Sequence, residues 1–256
     1  MNQSWVCRDG KQGVTRLLGE EYQPRNLVCG RYEWDWAVIV ADTYLEEFDR
    51  LAGMLATMSR ATTALIKTAN VALLTPDAVA ADDVLAQRAS LIELTGQFDA
   101  FVPEVIARRQ PVASDMRLVV AGVKINADFA RMGALCAHIA KIALSRYPAR
   151  AVPDDVLPLV AGMAEAAATL ANKSAIVMAT RNPVDALQLA LDDDEPDALQ
   201  VQLYATLADG WQHGVQAAVD VAMLGRFYER FADHAVAVVE QVLYIVRGDP
   251  APRRLA

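Results

Sequence analysis

This sequence is short of aromatics, sulfur and basic charge. Of its 256 residues, 7% are aromatic, 13 are glycine and 3 are cysteine. Cys7, Cys29 and Cys136 are an odd number and lack metal-ligand spacing, which argues against a disulfide framework and for reduced thiols. Lys and Arg total 24 against 32 Asp and Glu, a net charge of −8. That argues against non-specific nucleic-acid binding, which depends on a basic footprint. No apolar run approaches the roughly 18 residues of a membrane span. The N-terminal MNQSWVCRDGKQG lacks the basic and apolar blocks of a signal peptide, so the expected location is the cytoplasm. There is no glycine-rich phosphate cradle and no strand alternation. The three histidines, His138, His213 and His234, are preceded at i−3 by Leu135, Gly210 and Phe231. The Glu-x-x-His pairs of a di-iron carboxylate bundle are therefore missing.

What is present is helical. Hydrophobic residues make up 54% of the chain, dominated by Ala, Leu and Val, which suits helices packed on helices. Residues 1 to about 40 stand apart: they carry Trp5, Trp34 and Trp36 and show no sustained helical period. They read either as a disordered or loosely docked tail, or as lying upstream of a natural start near Val38 or Val40, because valine codons serve as bacterial starts. The period begins near Asp42, with Tyr44, Leu45, Phe48, Leu51, Leu55 and Met58 recurring at threes and fours.

Six long helices follow in the pattern. The first ends near Leu74, before Thr75-Pro76. The second covers about Asp77 to Arg109 with a bend expected at Pro103. The third covers about Ala113 to Arg146, with Ser114 a candidate N-cap. Pro148 and Pro153 bracket a linker. The fourth runs from about Asp154 to Thr180 and the fifth from Val184 to Leu207, interrupted at Pro196. The sixth runs from Trp211 to Arg247 and is closed by Gly248. Helices one to three resemble helices four to six in order, with corners at Thr75-Pro76 and Asn182-Pro183. Acidic pairs Asp82-Asp83 and Asp192-Asp193 follow at similar distances. The expected architecture is all-α: two three-helix bundles in tandem, over 41–150 and 151–248, with short segments at 1–40 and 249–256.

The sixth helix carries GRFYERFADHAVAVVEQ. On a helical wheel Leu224, Phe227, Tyr228, Phe231, Val238 and Val242 share one side, while Arg226, Glu229, Arg230, Asp233, His234 and Glu240 share the other. Glu229 and Asp233 lie one turn apart, where like charges repel. Two carboxylates at that spacing can grip one hard cation or bridge two. The plain alternative is a solvated face with weak Arg226–Glu229 and Arg230–Asp233 pairs.

RFYERFADHA resembles the second signature of the PhoU family, regulators of bacterial phosphate uptake. NADFARMGALCAHIAK resembles the first, and PVASDMR the segment leading into it. The resemblance covers about residues 42 to 248 and is closest to the actinobacterial members, called PhoY. It implies two three-helix bundles, usually dimeric, and a regulator rather than an enzyme. The implied role is to restrain the phosphate-starvation response, relaying the state of the Pst phosphate ABC transporter, through its ATPase subunit, to a sensor histidine kinase. A scaffold that binds metal without a signalling role is the alternative.

Several members of the family bind iron, zinc or other metals through Glu/Asp-x-x-x-Asp in each half. Carried over, Glu229 and Asp233 are the retained ligands of a divalent or iron ion, and Asp192, Asp193 and Asp194 can add oxygens. In the first half the matching positions are Ala130 and Ala134, which cannot ligate, so any metal belongs to the second half only. The stripe around those alanines is basic: Arg117, Lys124, Arg131, His138 and Lys141, with Asp128 at its edge. It is either a docking face for an acidic partner or anion, or a solvated face. Lys124, Arg131, His138, Arg226, Arg230 and His234 are the candidate partner-binding residues.

Overall fold

The computed structural model describes the backbone of residues 33–109, 111, 113–191 and 194–248, and side chains from residue 46 onward within those limits, except 190, 191, 194 and 195. Among the described residues it contains seven α-helices and no strand: α1 (Glu33–Leu74), α2 (Ala78–Arg109), α3 (Ala113–Arg146), α4 (Leu157–Thr180), α5 (Pro183–Leu191), α6 (Asp194–Ala208) and α7 (Gly214–Arg247). The chain divides into two units at Asp42/Thr43, and the helical bundle described below belongs to the second.

Several boundaries differ from the sequence reading: α4 begins at Leu157 rather than near Asp154, and α7 at Gly214 rather than near Trp211. The first helix begins at Glu33, ahead of the hydrophobic period that starts near Asp42. A helical backbone does not require an amphipathic stripe, and 33–41 contains no glycine or proline to stop propagation. The helix expected over 184–207 is described as α5, ending at Leu191, and α6, which begins at Asp194 and is not interrupted by Pro196. Pro196 instead sits in the first turn of α6, where its missing N–H has no intrahelical acceptor to lose. α2 continues beyond Pro103 to Arg109.

The two repeats turn their first corners by one device, a capping carboxamide or carboxylate next to a proline. After Pro76, Asp77 Oδ1 accepts from the N–H groups of Val79 (2.9 Å) and Ala80 (3.1 Å). Before Pro183, Asn182 Oδ1 accepts from the N–H of Val184 at 3.0 Å. Each side chain satisfies an orphan donor at a helix start. At the other end of the second repeat, Gly248 takes the left-handed conformation (φ 83°) and its N–H reaches Tyr244 O, which makes it the glycine stop that the sequence predicts.

Close approach within each repeat depends on small residues. A Cβ on Gly133 of α3 would lie 2.7 Å from Leu91 Cδ2 of α2, and one on Gly225 of α7 would lie 2.7 Å from Leu203 Cδ2 of α6. The glycines thus let a leucine of the middle helix seat against the backbone of the third.

The repeats share one core. Asn70 of α1 donates from Nδ2 to Ala164 O of α4 (2.7 Å) and accepts from the Tyr228 hydroxyl of α7 (3.0 Å). Thr63 Oγ1 reaches Ala171 O of α4 at 3.2 Å. Tyr228 is fully buried, so this hydrogen bond provides the partner that a buried phenol requires.

Candidate functional site: the paired signature helices

The two signature motifs lie on α3 and α7, and these helices pack against each other. The pairing is antiparallel, since contacts match falling numbers on one helix with rising numbers on the other. Arg117 lies beside Gly248, Asp128 meets His234, His138 stacks on Phe227 and Arg146 meets Asp220.

Three of these contacts are specific. Arg146 donates from Nε to Asp220 Oδ2 at 2.7 Å, and Asp220 is buried. His234 Nδ1 and Asp128 Oδ1 are 3.0 Å apart, with both side chains nearly buried. The His138 and Phe227 rings stack with centroids 5.2 Å apart. Asp128, assigned from the wheel to the edge of the α3 stripe, therefore turns inward to the other repeat, and His234 is spent on that same contact rather than presented on the outer surface.

The remaining candidate residues separate by side. On α3, Lys124, Arg131 and Lys141 are exposed, and Arg131 approaches Asp128 only at 3.9 Å. On α7, Arg230 is exposed, while Arg226 Nη1 contacts both Glu229 oxygens at 2.7 and 2.8 Å. Of the two arginine–carboxylate pairs expected there, the Arg226–Glu229 pair forms. No Arg230–Asp233 pair is found among the described residues.

Glu229 is half-buried and Asp233 exposed on α7, and the charge of Asp197 on α6 is near enough to act on both. Partial burial raises the Glu229 pKa above the usual carboxylate range, and the nearby Asp233 charge raises it further. The Asp233 pKa is also raised, first by burial and then by Asp197. Asp197 was missed in the sequence. It closes the acidic run that begins at Asp192. Asp192 and Asp193, and the side chain of Asp194, lie outside the described residues.

The chemistry of this cluster suits a hard cation in part. Carboxylates that raise one another's proton affinity are relieved by positive charge. Arg226 already supplies some of it, engaging both Glu229 oxygens. Among the described residues no group of three or more His, Cys, Asp or Glu side chains is placed to hold a metal ion. The described residues thus do not complete a metal site. In the first repeat the matching positions carry the methyl groups of Ala130 and Ala134.

Fold and site together define a helical protein of two repeats joined through their third helices, each bearing one signature motif. The PhoU domain model matches twice, over residues 55–143 and 160–242, one match in each repeat. The chain belongs to the PhoU family. It is 38% identical over 206 residues to the "Phosphate-specific transport system accessory protein PhoU homolog 2" of Mycobacterium tuberculosis, covering 80% of this chain and 97% of that one. It is equally identical to homolog 1 of the same species, over 80% and 93%. The crystal structure of PhoU from Pseudomonas aeruginosa superposes with a TM-score of 0.72 at 22% identity, covering 80% of this chain and all of that one. The likeness to that structure bears on fold alone. Among the described residues no helix is long and apolar enough to cross a membrane.

Proposed function

We propose that this protein is an accessory regulator of phosphate transport that restrains the phosphate-starvation response by protein–protein contact, coupling the Pst transporter to a sensor histidine kinase. Family membership carries this reading: the PhoU domain model matches both repeats, and relatives over nearly their whole length are named as phosphate-specific transport accessory proteins. The paired α3/α7 helices support it further, because they leave Lys124, Arg131 and Arg230 exposed on the two motif-bearing elements. Regulation by contact requires a partner that binds two states of the kinase unequally, since a ligand shifts an equilibrium only by its differential affinity. The protein works in the cytoplasm as a homodimer, and any cation that it carries resides on Glu229 and Asp233 of the second repeat.

Deleting the gene tests the reading. In a strain without a paralogue, the phosphate-starvation genes should switch on in high phosphate, and the intact gene should silence them again. Unchanged expression in the deletion strain would refute the regulatory role.

A further inference from the structure

In a chain of net charge −8, one strip of the α3/α7 pair has the opposite sign. Lys124, Arg131, His138 and Lys141 are all exposed on α3, and their spacings of seven, seven and three residues keep them on one side of the helix. Arg230 adds to them from the adjacent edge of α7. Of the nearby acids, Asp128 is turned inward to His234 and the largely buried Glu229 side chain is paired with Arg226, while Asp233 stays exposed on α7.

Both ends of this strip are apolar. On α3, Met116, Val120 and Val123 are 37%, 41% and 43% exposed; on α7, Val215, Val219 and Met223 are 81%, 51% and 43% exposed. Because the helices are antiparallel, these two groups lie at opposite ends of the pair. From Val120 to Ser145, the position opposite Val219, the strip is roughly 38 Å long at 1.5 Å per residue.

We propose that this strip docks an acidic amphipathic helix of a protein partner, with carboxylates in the middle of its length and apolar side chains near both ends. The proposal deepens the regulatory reading, and rests on it, by giving the chemistry of the contact. Charge complementarity selects the occupant. A second copy of this chain using the same strip across a two-fold axis would set cation against cation, since an isologous interface pairs a patch with itself. A membrane surface is matched less well, because the exposed apolar groups are valine and methionine, whereas interfacial helices insert Trp, Phe and Leu. A helix in a groove is read through apolar anchors at helical spacing, and the apolar groups here supply their seats.

The test is photo-crosslinking in the cells that make the protein, grown in high phosphate. A photoreactive residue is placed at exposed Ala127 or Ala130, within the strip, and at exposed Ala100 on α2 as a control, and the crosslinked peptide is sequenced. The expected product at both strip positions is one segment of a second protein, net acidic and with helical apolar periodicity. Its yield should fall at least tenfold in Lys124→Glu/Arg131→Glu, with circular dichroism unchanged. Crosslinks to a second copy of this chain, to lipid, or to a segment without net negative charge would overturn the proposal, as would a yield no higher than at Ala100 or one indifferent to charge reversal. An acidic helical segment from a protein outside phosphate signalling would keep the docking strip and sink the regulatory reading. Derepression on gene deletion without such a crosslink would do the reverse.

Discussion

The α3/α7 pair is held by few polar contacts, and removing Asp220 tests how much they matter. Asp220 is 7% exposed and receives two guanidinium nitrogens of Arg146, with Gln216 Nε2 at 3.4 Å from its other oxygen. Hydrogen bonds to charged groups contribute about 1.5–3 kcal/mol each in net terms. Breaking a fully buried pair costs about 3–5 kcal/mol, because the surviving charge is stranded. Here the Arg146 side chain is 31% exposed and can turn toward water, which limits the loss. Asp220→Ala should therefore cost about 2–3 kcal/mol. At about 2–4 °C per kcal/mol for a domain of this size, melting should fall by about 4–12 °C. Asp220→Asn, which keeps an acceptor but loses the charge, should cost about half as much. The assay is thermal and urea unfolding followed by circular dichroism, completed as a double-mutant cycle with Arg146→Met. A coupling energy of about 1 kcal/mol or more is expected. Two single costs below about 0.5 kcal/mol that simply add would show that these residues, 74 positions apart, do not meet in solution, and the antiparallel register would be wrong.

Glu47 of α1 receives Arg109 Nε at 2.7 Å, and that hydrogen bond lowers its pKa below the usual value. A lowered carboxylate pKa stabilises the fold above the unfolded value near 4.5, and the effect is lost as pH falls through the folded value. Glu47→Gln should thus cost about 1 kcal/mol at pH 7, with the gap in melting temperature closing below about pH 4; a gap that is constant with pH would refute the ionic account. Elemental analysis of the purified protein should find any tightly held metal lost in Glu229→Ala/Asp233→Ala, and equal metal in both proteins would sink that assignment. A chain starting at Ala41 should melt within about 2 °C of the full chain, whereas a larger fall would show that the first forty residues stabilise the bundle.

The sequence determined most of the helices of this protein by local means. Periodicity at threes and fours fixed which faces are buried, and the corners were legible because Asp77, Asn182 and Gly248 cap helices through contacts within a few residues of themselves. Alanine at 130 and 134 likewise shows directly that those positions offer no ligand oxygens. A helical wheel, though, knows only one helix. It places Asp128 and His234 on polar faces but cannot know that the two faces meet, because that depends on the antiparallel register of α3 and α7. It foresees the Arg226–Glu229 pair, which lies within one helix, but not the charge that Asp197 brings from another helix. That α6 runs through Pro196 was hidden for a similar reason, since proline is equally at home in a first turn and at a break. Spacing decides what a residue can do along its own helix. Which charges are withdrawn and which are left exposed was decided only when the two repeats packed together, because that requires contacts between residues about 75 to 110 positions apart.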